Sequence, residues 1–455
     1  MATYLPTRYT PAGSDLVSGN ALGAGLERLA FGFLCAFVAL LPSEEHFPLL
    51  GGFLLSRWAG LGALSLVLLQ TTVTLRMRRP GVLHYLMFAL VVWSGISLIW
   101  SVDPDSTITR FATYLQLLLM VWMIWLLAFT AQRVRSLLLA YILGSCAPAM
   151  STVKDFLTGR NVAMDYADRG VTVWDTSRYA AAGINANDLG LLLALGVPMA
   201  LYLIGRSNSK IVLWLCWLQV ALASAATLLT GSRGGMISLA VAFGMFPLIL
   251  PAMPRFRMRL SIVILAGVLA GSVYLVPAET WHRLLKAGSE LSQGTLTHRT
   301  VIWAAGWDVF REHPFLGVGS GAYPASVLTR LDIAIVAHNT FLSILVELGV
   351  IGALLVTGLL VSMLYSAARL PYMEKCLWIV LLVTWAVGAS ALTWEYRKGT
   401  WFVLGMLAAQ VGCAETTGAA YGWRRRYDGT RTYPQVPLAS STAPDAYRTN
   451  VPAAF

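Results

Sequence analysis

Polar and apolar positions along this chain fall in long blocks rather than at the short periods of a soluble fold. Apolar runs near the roughly 20 residues that cross a bilayer as a helix lie at 27–42, 53–74, 82–101, 111–129, 134–152, 187–205, 211–231, 234–253, 258–276, 340–366, 373–393 and 399–416. The pattern predicts an all-α polytopic membrane protein with about twelve transmembrane helices. Two longer polar stretches, 153–186 and 277–339, interrupt it. The expected organisation is therefore nine spans within 1–276, a large loop over 277–339 with helices lying along the membrane, three spans within 340–416, and a flexible tail over 417–455 rich in Pro, Ser, Thr and Ala.

Composition strengthens this reading, because 57% hydrophobic and 12% charged residues leave too little polar surface for a soluble protein of 455 residues. The charges also orient it. Counted from an inward N-terminus, the inward connections hold Arg76, Arg78, Arg79, Arg133, Arg135, Arg206, Lys210, Arg255, Arg257, Arg259, Arg369 and Lys375, and the tail adds Arg424, Arg425 and Arg426. Outward connections show Glu44, Glu45, Asp103 and Asp105, followed by the two long mixed-charge loops. Lys and Arg concentrate on the cytoplasmic side of membrane proteins, so both termini are expected inside. The net charge of +11 is then topology rather than a nucleic-acid surface, and no basic-aromatic module accompanies it. The N-terminus, with Arg8 and no cleavage pattern, reads as leading into a retained first span. Cys35, Cys146, Cys216, Cys376 and Cys413 fall in or beside spans, which suggests neither disulfides nor a zinc site.

Candidate chemistry concentrates in the outward loops and the span ends beside them. His338-Asn339-Thr340-Phe341 opens an apolar helix that carries Ser343 and Glu347 on the face of Thr340. An ionisable Glu at membrane depth marks either function or helix-to-helix packing. Upstream, 298–310 has helical spacing, holds Arg299 near its start and Trp303 one turn on, and stops before Pro314 and the turns at Gly317, Gly319 and Gly321. A helix start favours an anion. The segment 278–285, with Trp281, reads as an interfacial helix. Arg233, within Gly231-Ser232-Arg233-Gly234-Gly235, either faces a ligand or snorkels at a span end. Arg178 and Arg169 are ligand contacts or ordinary solvated charges, and Asn187 reads as a helix cap. Together these residues offer an imidazole of ordinary pKa about 6.5 and guanidinium groups that grip phosphate bidentately. No carboxylate-histidine spacing suggests a metal, and Asp103-Pro104-Asp105 reads as a turn.

The Gly-Ser-Arg-Gly-Gly span end, the His298-Arg299-Thr300 helix with Trp303, the following Pro314-Phe315-Leu316-Gly317-Val318-Gly319, and His338-Asn339-Thr340-Phe341 ahead of Glu347 occur in this order. In that order they resemble the bacterial O-antigen ligase and O-antigen polymerase superfamily, most closely O-antigen ligase. The resemblance covers about 178–352, with a twelve-span topology around it. It implies a metal-independent, inverting glycosyltransferase without cofactor, at the periplasmic face of a bacterial inner membrane. That enzyme would move a glycan from undecaprenyl pyrophosphate to a hydroxyl of the lipid A core in lipopolysaccharide assembly. By the same resemblance His338 is the catalytic histidine, Arg233, Arg299 and Arg178 contact the pyrophosphate, and Asn187, Trp303, Asn339 and Glu347 support them. The alternatives are an O-antigen polymerase or protein O-oligosaccharyltransferase of the same superfamily, or a lipid-linked sugar transporter. A transporter predicts broken helices, for which Gly196 and Pro198 supply one weak instance.

Overall fold

The computed structural model describes residues 17–46, 55–74, 78–167, 178–181, 183–275, 278, 281 and 299–416. Most of the segment 278–285, together with Arg169 and the tail from 417, lies outside the described residues. Among the described residues sixteen α-helices follow one another: α1 Val17–Leu40, α2 Leu55–Thr74, α3 Val82–Ile96, α4 Pro104–Leu127, α5 Ala131–Leu157, α6 Val162–Ala167, α7 Ala186–Arg206, α8 Lys210–Leu229, α9 Arg233–Phe243, α10 Met245–Ile249, α11 Arg255–Leu275, α12 Arg299–Glu312, α13 Tyr323–Leu331, α14 Thr340–Ala368, α15 Tyr372–Ala389 and α16 Lys398–Thr416. No strand occurs among the described residues. The protein is an all-α polytopic membrane protein.

Each of the twelve apolar runs forms a helix, but ten helical segments among the described residues are long and apolar enough to cross a membrane. The two that fall short, α2 and α16, are 20 and 19 residues long. Arg57 and Gln70 dilute the apolar character of α2, and Lys398 and Gln410 that of α16. The second case has a packing reason. Trp401, Phe402, Met406, Leu407 and Ala409 of α16 are all buried, so this helix meets protein rather than lipid along most of its length. Asp103 also differs from the expected turn: its side chain caps α4 by accepting from Ser106 N (3.2 Å), with Pro104 as the first helical residue.

The central post is α7, where every residue from Leu193 to Ile204 is buried. Small residues let it approach its neighbours. A Cβ on Gly190 would stand 3.1 Å from Cα of Gly235 on α9, so the two backbones nearly touch. That contact brings the start of α9, and hence Arg233, against the start of α7.

A second close approach breaks α14. Gly349 has φ 66° and ψ −168°, a region essentially restricted to glycine, which frees carbonyls that a continuous helix would use. Those carbonyls are satisfied from outside the helix. Val346 and Glu347 oxygens accept from the backbone N–H groups of Val318 and Gly319 (both 3.0 Å), and Leu348 O accepts from the Trp93 indole (3.0 Å). Val350 N donates in turn to Pro314 O (2.9 Å). The Pro314–Gly319 motif is thus a turn-rich segment docked into a helix break, and burial in protein is what makes non-helical backbone tolerable there. Val102 N to Val318 O (3.0 Å) and Ser320 N to Ser97 Oγ (3.0 Å) fasten the same segment to the α3–α4 connection.

Candidate active site

The start of α14 is pinned at three points. Asn339 Oδ1 caps the helix by accepting from Phe341 N and Leu342 N (both 3.0 Å). Thr340 Oγ1 donates to Leu392 O (2.7 Å) and accepts from Trp394 N (2.8 Å), tying the helix to the connection between α15 and α16. Trp303 Nε1 donates to Ala337 O (2.9 Å), tying it to α12. Between these ties His338 sits at φ 48°, a left-handed conformation that costs a non-glycine residue about 1–2 kcal/mol. A strained residue held by flanking contacts is an observation that motivates a functional role.

Arg299 is the first residue of α12 and Arg233 the first of α9, where Ser232 Oγ accepts from Gly235 N (3.2 Å). The two guanidinium groups lie near enough that Arg233, after burial, lowers the proton affinity of Arg299. His338 feels the same field. Burial first, then Arg299, hold its imidazole below the ordinary value, while Asp188 pulls it upward. Arg299 thus lies in electrostatic range of both His338 and Arg233, and the arrangement favours the neutral imidazole beside positive charge. Such a site can accept a proton and stabilise an anion.

Arg178 lies beside this cluster in a more structural setting. Its Nε donates to Thr230 O (2.9 Å) and its Nη2 to Asn187 Oδ1 (2.6 Å), which fastens the 178–181 segment to the end of α8 and the start of α7. Asn187 is not the helix cap expected of it. Asn185 caps α7, accepting from Asn187 N (2.9 Å), because the helix starts one residue earlier than its apolar run. Glu347 is 3% exposed and faces the scaffold: Oε2 accepts from Gly321 N (2.7 Å), and Arg110 Nη1 stands 4.0 Å away. Ser343 Oγ donates to Glu395 Oε1 (3.0 Å), which Arg110 Nη1 also meets at 3.2 Å. Burial, opposed by Arg110 and reinforced by Glu347, pushes the Glu395 carboxyl up to about 7.

Sequence reasoning missed the connection between α15 and α16. Thr393-Trp394-Glu395-Tyr396-Arg397-Lys398 is a dense run of charge and aromatics between two apolar helices, a signal hidden by its shortness. Asp188 was missed as well. Its Oδ1 accepts from Trp394 Nε1 (2.8 Å) and its Oδ2 from Arg397 Nη2 (2.8 Å). Asp188, Arg397 and Lys398 also line a cavity of about 650 Å³ whose other walls are apolar side chains of α1, α2, α4 and α7, among them Phe37, Leu64 and Met120. Arg57 and Glu44 complete its charged lining, and Lys398 pairs with Glu44.

Residues 218–357 match the family described as O-Antigen ligase. The matched stretch contains Arg233, Arg299, Trp303, His338, Asn339 and Glu347, whereas Arg178 and Asn187 precede it. Over that stretch the chain is similar to the O-antigen ligase family, in line with its motifs. The exopolysaccharide production protein ExoQ of Rhizobium meliloti (strain 1021) is 25% identical over an alignment of 304 residues that covers 62% of this chain and 65% of that protein. The chain thus spans just under two thirds of the length of that curated relative.

Proposed function

We propose that this protein transfers a glycan from undecaprenyl pyrophosphate to a hydroxyl of a lipid A core sugar, at the periplasmic face of a bacterial inner membrane. The observation that carries the proposal is His338 held in a left-handed conformation at the mouth of α14 by ties to α12 and the α15–α16 connection, with Arg299 in electrostatic range of it and Arg233 in range of Arg299. His338 takes the proton of the acceptor hydroxyl, whose oxygen attacks the anomeric carbon. The bond from that carbon to the pyrophosphate oxygen breaks, and the lipid pyrophosphate departs with the bonding pair. Arg299 and Arg233 neutralise the charge that grows on it. Attack opposite the leaving group inverts the anomeric centre. The arginines supply the positive charge for which other transferases use a metal ion, so the reaction is metal-independent. The apolar cavity of about 650 Å³ is of a size to hold part of the isoprenoid chain. In this reading both termini lie in the cytoplasm.

The relative named for exopolysaccharide production supports a second reading, in which the acceptor is the glycan of another lipid-linked donor and the protein acts as a polymerase. The break in α14 favours a transporter, but the docked 314–319 segment satisfies its freed carbonyls. The test is transfer by purified protein in proteoliposomes with lipid-linked glycan and either lipid A core or more donor, in excess EDTA. The proposal expects glycan on lipid A core. Lengthened glycan on the donor lipid alone would establish the polymerase, and dependence on added Mg²⁺ would overturn the arginine-centred mechanism.

A further inference from the structure

Asp188 lies on the wall of the cavity and also acts on His338. It reaches the histidine in two ways. Its carboxylate holds Trp394 through the indole, and the Trp394 backbone N–H donates to Thr340, two residues beyond His338. Its charge also favours the protonated imidazole, against burial and Arg299 of α12, beside which Arg233 of α9 adds a second positive charge. The Asp188 charge is partly cancelled, because Arg397 Nη2 sits 2.8 Å from Oδ2.

We propose that Asp188 is a positioning residue that couples the cavity to His338: a phosphate group at the polar end of the cavity draws Arg397 toward itself, and the carboxylate so unmasked strengthens His338 as a proton acceptor. The charged lining favours an anion there, with Arg57, Arg397 and Lys398 set against Glu44 and Asp188. A phosphate competes well for a guanidinium, since it too accepts two parallel hydrogen bonds and can carry more charge than a carboxylate. The coupling keeps the base weak until a donor is seated, which limits activation of water against the donor bond. This inference rests on the reading of His338 as proton acceptor.

The test follows carbethoxylation of His338 by diethyl pyrocarbonate, quantified by mass spectrometry of the peptide, as a function of pH in the full-length protein. This readout is independent of turnover. Asp188→Asn should lower the midpoint by about half a unit to one unit, and Arg397→Gln should raise it by a similar amount, the signs following from removal of a nearby negative or positive charge. Asp188→Glu should restore the wild-type midpoint. Undecaprenyl phosphate should raise the wild-type midpoint, and raise that of Arg397→Gln by less, since only the direct effect of the phosphate charge remains there. Midpoints that stay fixed, or that move in the same direction in both variants, would overturn the proposal. If Asp188→Asn fails to insert, Arg397→Gln and the lipid titration of the wild type decide alone. The predicted shifts in a protein that transfers no glycan would retain the coupling and sink the transferase reading.

Discussion

Burial first, and then the charge of Arg233, depress Arg299, a cost that an arriving pyrophosphate would relieve. Lysine would keep the charge but lose the planar fork that meets two phosphate oxygens at once. Arg299→Lys and Arg233→Lys should therefore weaken transfer by about tenfold, and the alanine variants by about a hundredfold or more with weakened donor binding. Donor affinity that is unchanged in both alanine variants would assign these residues to snorkelling. At this scale the sequence was legible where chemistry is local, as with His338, Asn339 and Arg299 at helix starts. It was silent on Asp188, whose partners Trp394 and Arg397 lie more than 200 residues away. The misplaced cap has the same origin: nothing in the apolar run distinguishes Asn185 from Asn187, and the choice depends on Arg178 binding the latter.

Among the elements, α14 is the least ordinary, because it opens with the candidate base and breaks nine residues after Thr340 at Gly349. A Cβ at Gly349 would lie 2.2 Å from Phe315 O, and its backbone geometry is unfavourable for any other residue. Gly349→Ala should destabilise the protein by about 2 kcal/mol or more. A thermal unfolding scan in detergent checks this, and an unchanged midpoint would show that the 314–319 segment is not docked as described. The glycines and the proline of that segment stood out in the sequence as turns. Their partner could not be read there, since the docking surface is made by a helix that sequence periodicity renders as continuous. Glu347 was ambiguous for a related reason, because its companions Arg110 and Glu395 come from two other elements.

For the whole molecule, the block pattern of apolar residues was enough to place twelve helices, since burying backbone polar groups within each segment is what a bilayer demands. It could not tell a lipid-facing helix from α16, which is enclosed by its neighbours and tolerates polar residues on that account. Nor could it show that the starts of α7, α9 and α14 pack against the α15–α16 connection, with α12 tied to the residue before His338. That gathering makes His338 the pivot of the account. The measurement that bears on it most directly is the pH dependence of glycan transfer by reconstituted wild type and His338→Ala, with donor binding measured in parallel. Burial and Arg299 lower the imidazole, so wild-type transfer should rise with pH along an acid limb centred below the ordinary value of about 6.5. His338→Ala should bind donor normally, lose that limb, and transfer about a hundredfold or more slowly at neutral pH. Wild-type turnover with the same acid limb in His338→Ala would contradict the account.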